Sequence, residues 1–295
     1  MKSTNGMYTL RLSLVIASCI AAAHATFAAT TCNTPSDECA AIGHWNLSIG
    51  IGYGLRTNPI LSGSDIPLVI VPKVSYYGKR FFLDNLDVGF TLYENDDYGF
   101  NFIATPGYDR VFFARYDPQN FFAAGAGGSP VSPPGGPPPT PPPPATPPPK
   151  SDAERILERS RQVTYLVGPE WHFDFHSLTG QFDFLYEATG RHHGTEARVA
   201  LAVPLIKSHG VLKAAAGGTW KSGALITYYY GEKGIYEAGS AFSPFAKLSY
   251  TRAFTGHWGL DIFAHYEWLG DTIKKSPIVV DHQVTTYFAG VTYSF

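Results

Sequence analysis

The sequence predicts an all-β protein: a transmembrane antiparallel β-barrel of about twelve strands, within a range of about 10 to 14, carrying a proline-rich insert. Three observations predict it. First, residues 283–295 alternate strictly, with Thr285, Tyr287, Ala289, Val291, Tyr293 and Phe295 on one side and Thr286, Phe288, Gly290, Thr292 and Ser294 on the other. Only an extended strand sends every second side chain the same way. An aromatic, apolar face backed by a mostly small and polar one suits lipid outside and a polar lumen inside. Second, the chain is 44% hydrophobic and 15% aromatic, with 18 Tyr, 20 Phe and 30 Gly against 2 Met, a composition that favours strands over helices. Third, past its N-terminal leader the chain has no apolar run near the ~20 residues a membrane helix needs. A chain that enters lipid without such a helix must close its strands into a barrel, because no other structure satisfies its backbone there.

The formal net charge of −2 offers no basic footprint, which excludes nucleic acid as a partner. Residues 1–28 read as a signal peptide. Lys2 and Arg11 carry the positive charge, residues 12–23 form the apolar stretch, and small residues follow, with cleavage expected after Ala25 or Ala28. Ile16-Ala17-Ser18-Cys19 loosely matches a lipoprotein box, but the apolar stretch continues past Cys19, which favours ordinary cleavage. Residues 29–43 are then an N-terminal periplasmic segment. Cys32 and Cys39, with six residues between them, meet an oxidising compartment, and a local disulfide is expected. No further cysteine remains to complete a metal site.

The barrel is expected over residues 44–295, interrupted at 125–161. Residues 44–55 make the first strand, with Trp45, Leu47, Ile49, Ile51, Tyr53 and Leu55 alternating with small residues. Gly50-x-Gly52-x-Gly54 has period two and no strand-to-helix switch, so it reads as a crowded or curved barrel face, not a nucleotide loop. After a polar loop over 56–65, residues 68–77 form a strand that turns at Gly78-Lys79 into a second one over 80–93. Glu94-Asn95-Asp96-Asp97 is a solvated turn, since no twelve-residue calcium-ligand pattern follows it. Residues 98–116 read as a long aromatic strand, broken or bulged near Pro106-Gly107.

The composition then changes. Thirteen of the 23 prolines lie between Pro130 and Pro149, with no charge among them. Proline has no donor for a sheet ladder, and such a run favours extended polyproline II. Residues 151–161 follow as a short charged helix, with Ser151 as the cap and Glu154 three residues on. Alternation resumes over 163–175, where Glu170, His172 and Asp174 face away from Trp171, Phe173 and Phe175. It continues with Gln181, Asp183 and Glu187 opposite Phe182, Phe184 and Tyr186, and with Glu196 and Arg198 in 195–203. Residues 211–220 and 222–230 read as a hairpin turned at Lys221. Residues 243–253 turn at Phe254-Thr255-Gly256 into 258–269, where Trp258, Leu260, Ile262 and Trp268 face lipid and Asp261, His265 and Glu267 face inward. Counting back from a periplasmic C-terminus puts the loops at 231–242 and 270–282 outside the cell. The same count puts the turns at Lys221 and Thr255, and the proline insert, in the periplasm.

Several stretches, in order over nearly the whole mature chain, resemble the MipA/OmpV family of outer-membrane proteins. They are the glycine-alternating first strand, Ser62-Gly63-Ser64-Asp65, Pro67 and Pro72, Phe81-Phe82-Leu83, Tyr228-Tyr229-Tyr230-Gly231, Trp258, Leu269-Gly270-Asp271, Ser276-Pro277-Ile278-Val279 and Tyr293-Ser294-Phe295. The resemblance implies an outer-membrane location. It also implies a scaffold role that brings a lytic transglycosylase together with a penicillin-binding murein synthase in peptidoglycan turnover. The proline-rich insert departs from the family pattern. Tyr293 and Phe295 resemble the terminal aromatics that the barrel-assembly machinery reads as a signal.

Two other functions compete. Inward Asp174, Asp183, Glu187, Arg198, Asp261, His265 and Glu267 could line a water-filled channel for small solutes, or pair and plug the lumen. An adhesin is the remaining alternative. Catalysis is not expected: His172, Asp174, His265 and Glu267 supply residue types, but nothing in their spacing assembles a nucleophile, a base and an orienter. No cofactor and no metal is expected. Adjacent His192 and His193 diverge on a strand or turn.

Overall fold

The computed structural model describes residues 43–114, 150–254 and 256–295. The leader, Cys32, Cys39 and the proline-rich run lie outside these residues. Twelve antiparallel strands close into one barrel in sequence order, with the first strand paired to the last. They are β1 (Trp45–Arg56), β2 (Ile66–Tyr77), β3 (Phe81–Asp84), β4 (Asp87–Glu94), β5 (Tyr98–Pro106), β6 (Tyr165–Phe175), β7 (Leu178–Glu187), β8 (Thr195–Ile206), β9 (Val211–Lys221), β10 (Ala241–Ala253), β11 (Trp258–Trp268) and β12 (Gln283–Ser294). Among the described residues three short helices join them: α1 (Asp152–Glu158), α2 (Gly223–Tyr230) and α3 (Asp271–Lys274). A 3-10 turn spans Tyr108–Phe112.

The expected count of twelve holds through two compensating corrections. Residues 80–93 are not one strand but the hairpin β3–β4. Asn85 takes a left-handed φ of 54°, which asparagine tolerates at a turn. Its backbone N–H and side-chain Oδ1 bond Val74, at 2.7 and 3.1 Å. Conversely, residues 222–230 are not a strand but α2. Leu225, Ile226, Tyr228, Tyr229 and Tyr230 are all buried, so this helix is apolar on most sides, and a short apolar run carries no period that separates helix from strand. The long strand expected over 98–116 ends at Pro106, beyond which the chain coils into the 3-10 turn. The helix expected after the insert does form as α1. Ser151 Oγ accepts from the Glu154 backbone while the Glu154 carboxylate accepts from the Ser151 backbone at 2.7 Å, a reciprocal cap.

The two ends of the barrel differ. At the end carrying Phe295 the connections are short, over 78–80, 95–97, 176–177, 207–210 and 254–257. At the opposite end, apart from the two-residue β3–β4 turn at 85–86, they run over 57–65, 107–164, 188–194, 222–240 and 269–282. Barrels of this kind keep short turns in the periplasm and long loops outside. Lys221 pairs with Ala241 and Glu196, at the long-loop end, so it does not share the end of the C-terminus as the strand count expected. The proline insert moves with it: the described residues flanking it, Ala114 and Lys150, belong to the long 107–164 connection. The miscount came from the missing strand at 222–230.

Outward faces carry the exposed aromatics, among them Trp45, Tyr53, Phe90, Phe102, Phe184 and Trp258. Inward, Ile66, Leu68, Val71 and Phe288 form one apolar cluster and Ile103, Leu166 and Leu185 another. The lumen is therefore packed over part of its height. Each such side chain removed from water contributes roughly 1.5–3 kcal/mol.

Candidate functional site

A second body of packing closes the long-loop end. Ile60, Ile156, Leu225, Ile226, Tyr228, Tyr229, Tyr230, Leu269, Ile273, Ile278 and Val279 form one buried core. It draws on all three helices and on the loops after β1 and β11. The stretches that carry the family resemblance meet here: Tyr228-Tyr229-Tyr230, Leu269 and Ile278-Val279 are neighbours in this cap, although far apart in sequence.

Arg161 knits the cap together. Its Nε donates to the Tyr229 carbonyl at 2.7 Å, Nη1 to Arg159 O at 2.9 Å and Nη2 to Ile156 O at 3.0 Å. Its guanidinium lies 4.0 Å from the centroid of the Phe113 ring. One cation thus satisfies carbonyls at the C-terminal ends of α1 and α2, where helix carbonyls lack partners. Burial, with Arg159 nearby, pulls its pKa down to about 10, and it stays charged at neutral pH. Ser276 Oγ donates to the Tyr230 carbonyl, and Asn58 Nδ2 donates to Phe112 O at 2.9 Å.

The 3-10 turn hangs from this cap into the lumen. Asp109 Oδ1 accepts from Lys221 Nζ at 2.7 Å and from Tyr230 Oη at 2.6 Å. Burial and the Asp109 charge raise the Tyr230 phenol well above its ordinary pKa, so it remains a donor. Tyr108 Oη donates to Asp87 at 3.0 Å, and the Arg198 guanidinium sits 5.3 Å from the Tyr108 ring centroid. Removing one partner of a buried pair such as Lys221–Asp109 typically costs about 3–5 kcal/mol, because it strands the other charge.

The polar residues expected inward fall into four places. Asp183, 1% exposed, accepts from Gln181 at 3.0 Å, and the same amide reaches Glu170 at 2.9 Å. Arg198 pairs with Glu196 at 2.6 Å, and Asp261 pairs with Lys73 at 2.7 Å. Asp174 is exposed at the short-turn end, its N–H on Asp97 O at 2.7 Å. Glu187 lies at the opposite rim, where its carboxylate accepts from the backbones of Thr189, Arg191, His192 and His193 at 2.7 to 3.1 Å. It organises a loop and lines no pore. His265 and Glu267 open onto a pocket of about 170 Å³ together with Arg56, Asp109, Lys221, Tyr230 and Thr286. Arg56 and Asp109 escaped the sequence reading, since one sat at a loop boundary and the other inside an aromatic run. Lys221 could have been found: it continues the inward parity of Lys213 through β9.

Neither His172 nor His265 is hydrogen-bonded to a serine or a carboxylate among the described residues. No group of three or more His, Cys, Asp or Glu capable of holding a metal occurs among them either. Tyr293 packs edge-on against Trp258 and Phe295, with centroids 5.0 and 5.1 Å away. Phe295 is 76% exposed.

A closed twelve-strand barrel with an aromatic exterior, a part-packed lumen and a cap of long loops defines an outer-membrane β-barrel protein. The family model for MltA-interacting protein MipA matches residues 49–295, and the chain belongs to that family. No curated protein matches it. Among solved structures it is similar to OmpT, an outer-membrane protein of Vibrio cholerae, at 9% identity over 85% of this chain and 97% of that one, with a TM-score of 0.28. It is also similar to Ail, the attachment invasion locus protein of Yersinia pestis, at 10% identity over 85% and 97% of the two chains, with a TM-score of 0.15. At these scores neither likeness adds to the family match.

Proposed function

We propose that this protein is a non-enzymatic interaction protein of the outer membrane that serves peptidoglycan turnover. In this role it docks a murein transglycosylase, and with it a murein synthase, on its periplasmic face. The observation that carries the proposal is the family match across residues 49–295, whose description is that of an MltA-interacting protein. The packed lumen and the capped end support it, because they leave the rims of the barrel as the surfaces for partners. The domain plan expected from the sequence belongs to the same proposal: a leader over 1–28, a periplasmic segment over 29–43 and a barrel over 44–295. So does a Cys32–Cys39 disulfide.

The test is capture of the transglycosylase by the folded barrel in detergent. Three forms are compared: the intact protein, one lacking residues 125–150, and one with the 207–210 turn replaced by an unrelated turn. The intact form and the deletion should both capture the enzyme, since the insert leaves from the end opposite Phe295, and the replaced turn should weaken capture. Failure of the intact, folded barrel to capture it sinks the proposal. An adhesin is the second reading, favoured by the cap core built from the long-loop connections. Binding to a cell surface abolished by changes in the 231–240 loop would support it.

A further inference from the structure

The pocket beneath the cap is built for more than holding the plug in place. Its wall contains one self-satisfied unit, Lys221 and Tyr230 both bonded to Asp109. Two other charges in the wall are not satisfied by the protein. Glu267 makes no hydrogen bond or ion pair among the described residues, and Arg56 makes one hydrogen bond, from Nε to Thr286 Oγ1 at 3.3 Å. Both guanidinium Nη groups therefore have no acceptor among the described residues.

Register explains why the two charges do not quench each other. Arg56 on β1 pairs with Thr286 of β12, and Glu267 on β11 pairs with Val284 of β12. One whole strand lies between them, a separation of about two strand spacings of ~4.8 Å. They feel each other's charge yet form no ion pair. Both side chains are half-buried, open to the pocket, so a small ligand can reach them, and one that carries both charges would meet groups that the described protein leaves unpaired.

We propose that this pocket binds a small zwitterion, a solute with one carboxylate and one ammonium group. Arg56 donates its free Nη hydrogens to the carboxylate, in the forked geometry that guanidinium and carboxylate share. Glu267 accepts from the ammonium. The volume of about 170 Å³ sets the size, since cavities of about 150 Å³ admit a six-carbon ring. Tripeptides are excluded on this ground. Leu269 and Val284, which also line the pocket, leave room for a short aliphatic side chain and offer it an apolar surface.

The experiment is isothermal titration of the folded, detergent-held full chain with alanine, propionate and ethylamine. The last two are alanine without its amine and alanine without its carboxylate. Alanine should bind, and each single-charge analogue should bind at least tenfold more weakly. Glu267→Gln and Arg56→Gln should each reduce alanine affinity at least tenfold, with folding verified by the heat-dependent shift in electrophoretic mobility. Absence of alanine binding to the wild-type barrel overturns the proposal, as does propionate or ethylamine binding as tightly as alanine. Because the ligand series uses the wild-type chain, it decides the matter even if a variant does not fold.

Discussion

His192 is where the cap is most sensitive to its surroundings. Its ring packs against Tyr228 and Tyr229, with centroids 5.2 and 6.0 Å away, and its Nδ1 accepts from the Gly194 backbone at 3.0 Å. Nε2 must then carry the proton, and it is buried with no partner among the described residues. Burial holds the imidazole below its ordinary pKa; Glu187, Asp109 and Glu196 oppose that shift and His193 adds to it. A base whose folded pKa is depressed stabilises the fold above its unfolded value, near 6.5. Below that value the unfolded loop takes up a proton that the folded loop refuses, so stability falls as pH drops from ~6.5 toward the depressed folded value. Hydrogen exchange in residues 188–194, corrected for intrinsic rates, should therefore be faster at about pH 5.5 than at about pH 7.5. His192→Phe should remove the difference. Equal protection of the wild-type loop at both pH values would show that the ring's burial does not hold it. Nothing in His192-His193 as a dipeptide announced this role, because the tyrosines that bury the ring come from a segment misread as a strand.

At the scale of elements, β1 shows what period two can reveal. The alternation Gly50, Gly52, Gly54 pointed to a crowded barrel face, and the crowding is at the seam where β1 meets β12. A Cβ on Gly52 would lie 2.2 Å from the Ala289 carbonyl oxygen and 2.4 Å from the Gly290 Cα. Both obstacles are backbone, so only parting of the strands relieves the clash, at more than the ~1–3 kcal/mol of ordinary overpacking. Gly52→Val should abolish the folded, heat-modifiable band on electrophoresis. Gly256→Ala, whose Cβ meets nothing within 4 Å, should leave it unchanged. An intact band for Gly52→Val would mean that the seam is looser than this register. The elements that sequence misplaced share a cause: α2, the β3–β4 hairpin and the 3-10 turn are short, and tertiary packing settles them. Tyr228-Tyr229-Tyr230 is equally apolar to both periods, and Asn85 signals a turn only once its bond to Val74 is known. The pocket was half legible for the same reason. His265 and Glu267 lie on a long alternating strand, whereas Asp109 enters on a turn that no pattern marks.

For the whole molecule, the asymmetry of the two ends decides how function is read. One end carries short turns and Phe295, and the other carries a packed cap with the flanks of the proline-rich insert. If the long loops face outward, a periplasmic partner meets the short turns, and the insert is presented away from the cell wall machinery. This reverses the side that strand counting assigned, through a single helix taken for a strand. Sidedness is therefore the claim on which the rest depends. It is tested most directly by bulky, membrane-impermeant maleimide labelling of intact cells, in a chain whose Cys32 and Cys39 are replaced by serine. Lys233 is exposed in the 222–240 connection and Ser208 is exposed in the 207–210 turn. Lys233→Cys should label on intact cells, and Ser208→Cys only after the outer membrane is permeabilised. Labelling of Ser208→Cys on intact cells, with Lys233→Cys protected, would contradict the account and return the cap and the insert to the periplasm.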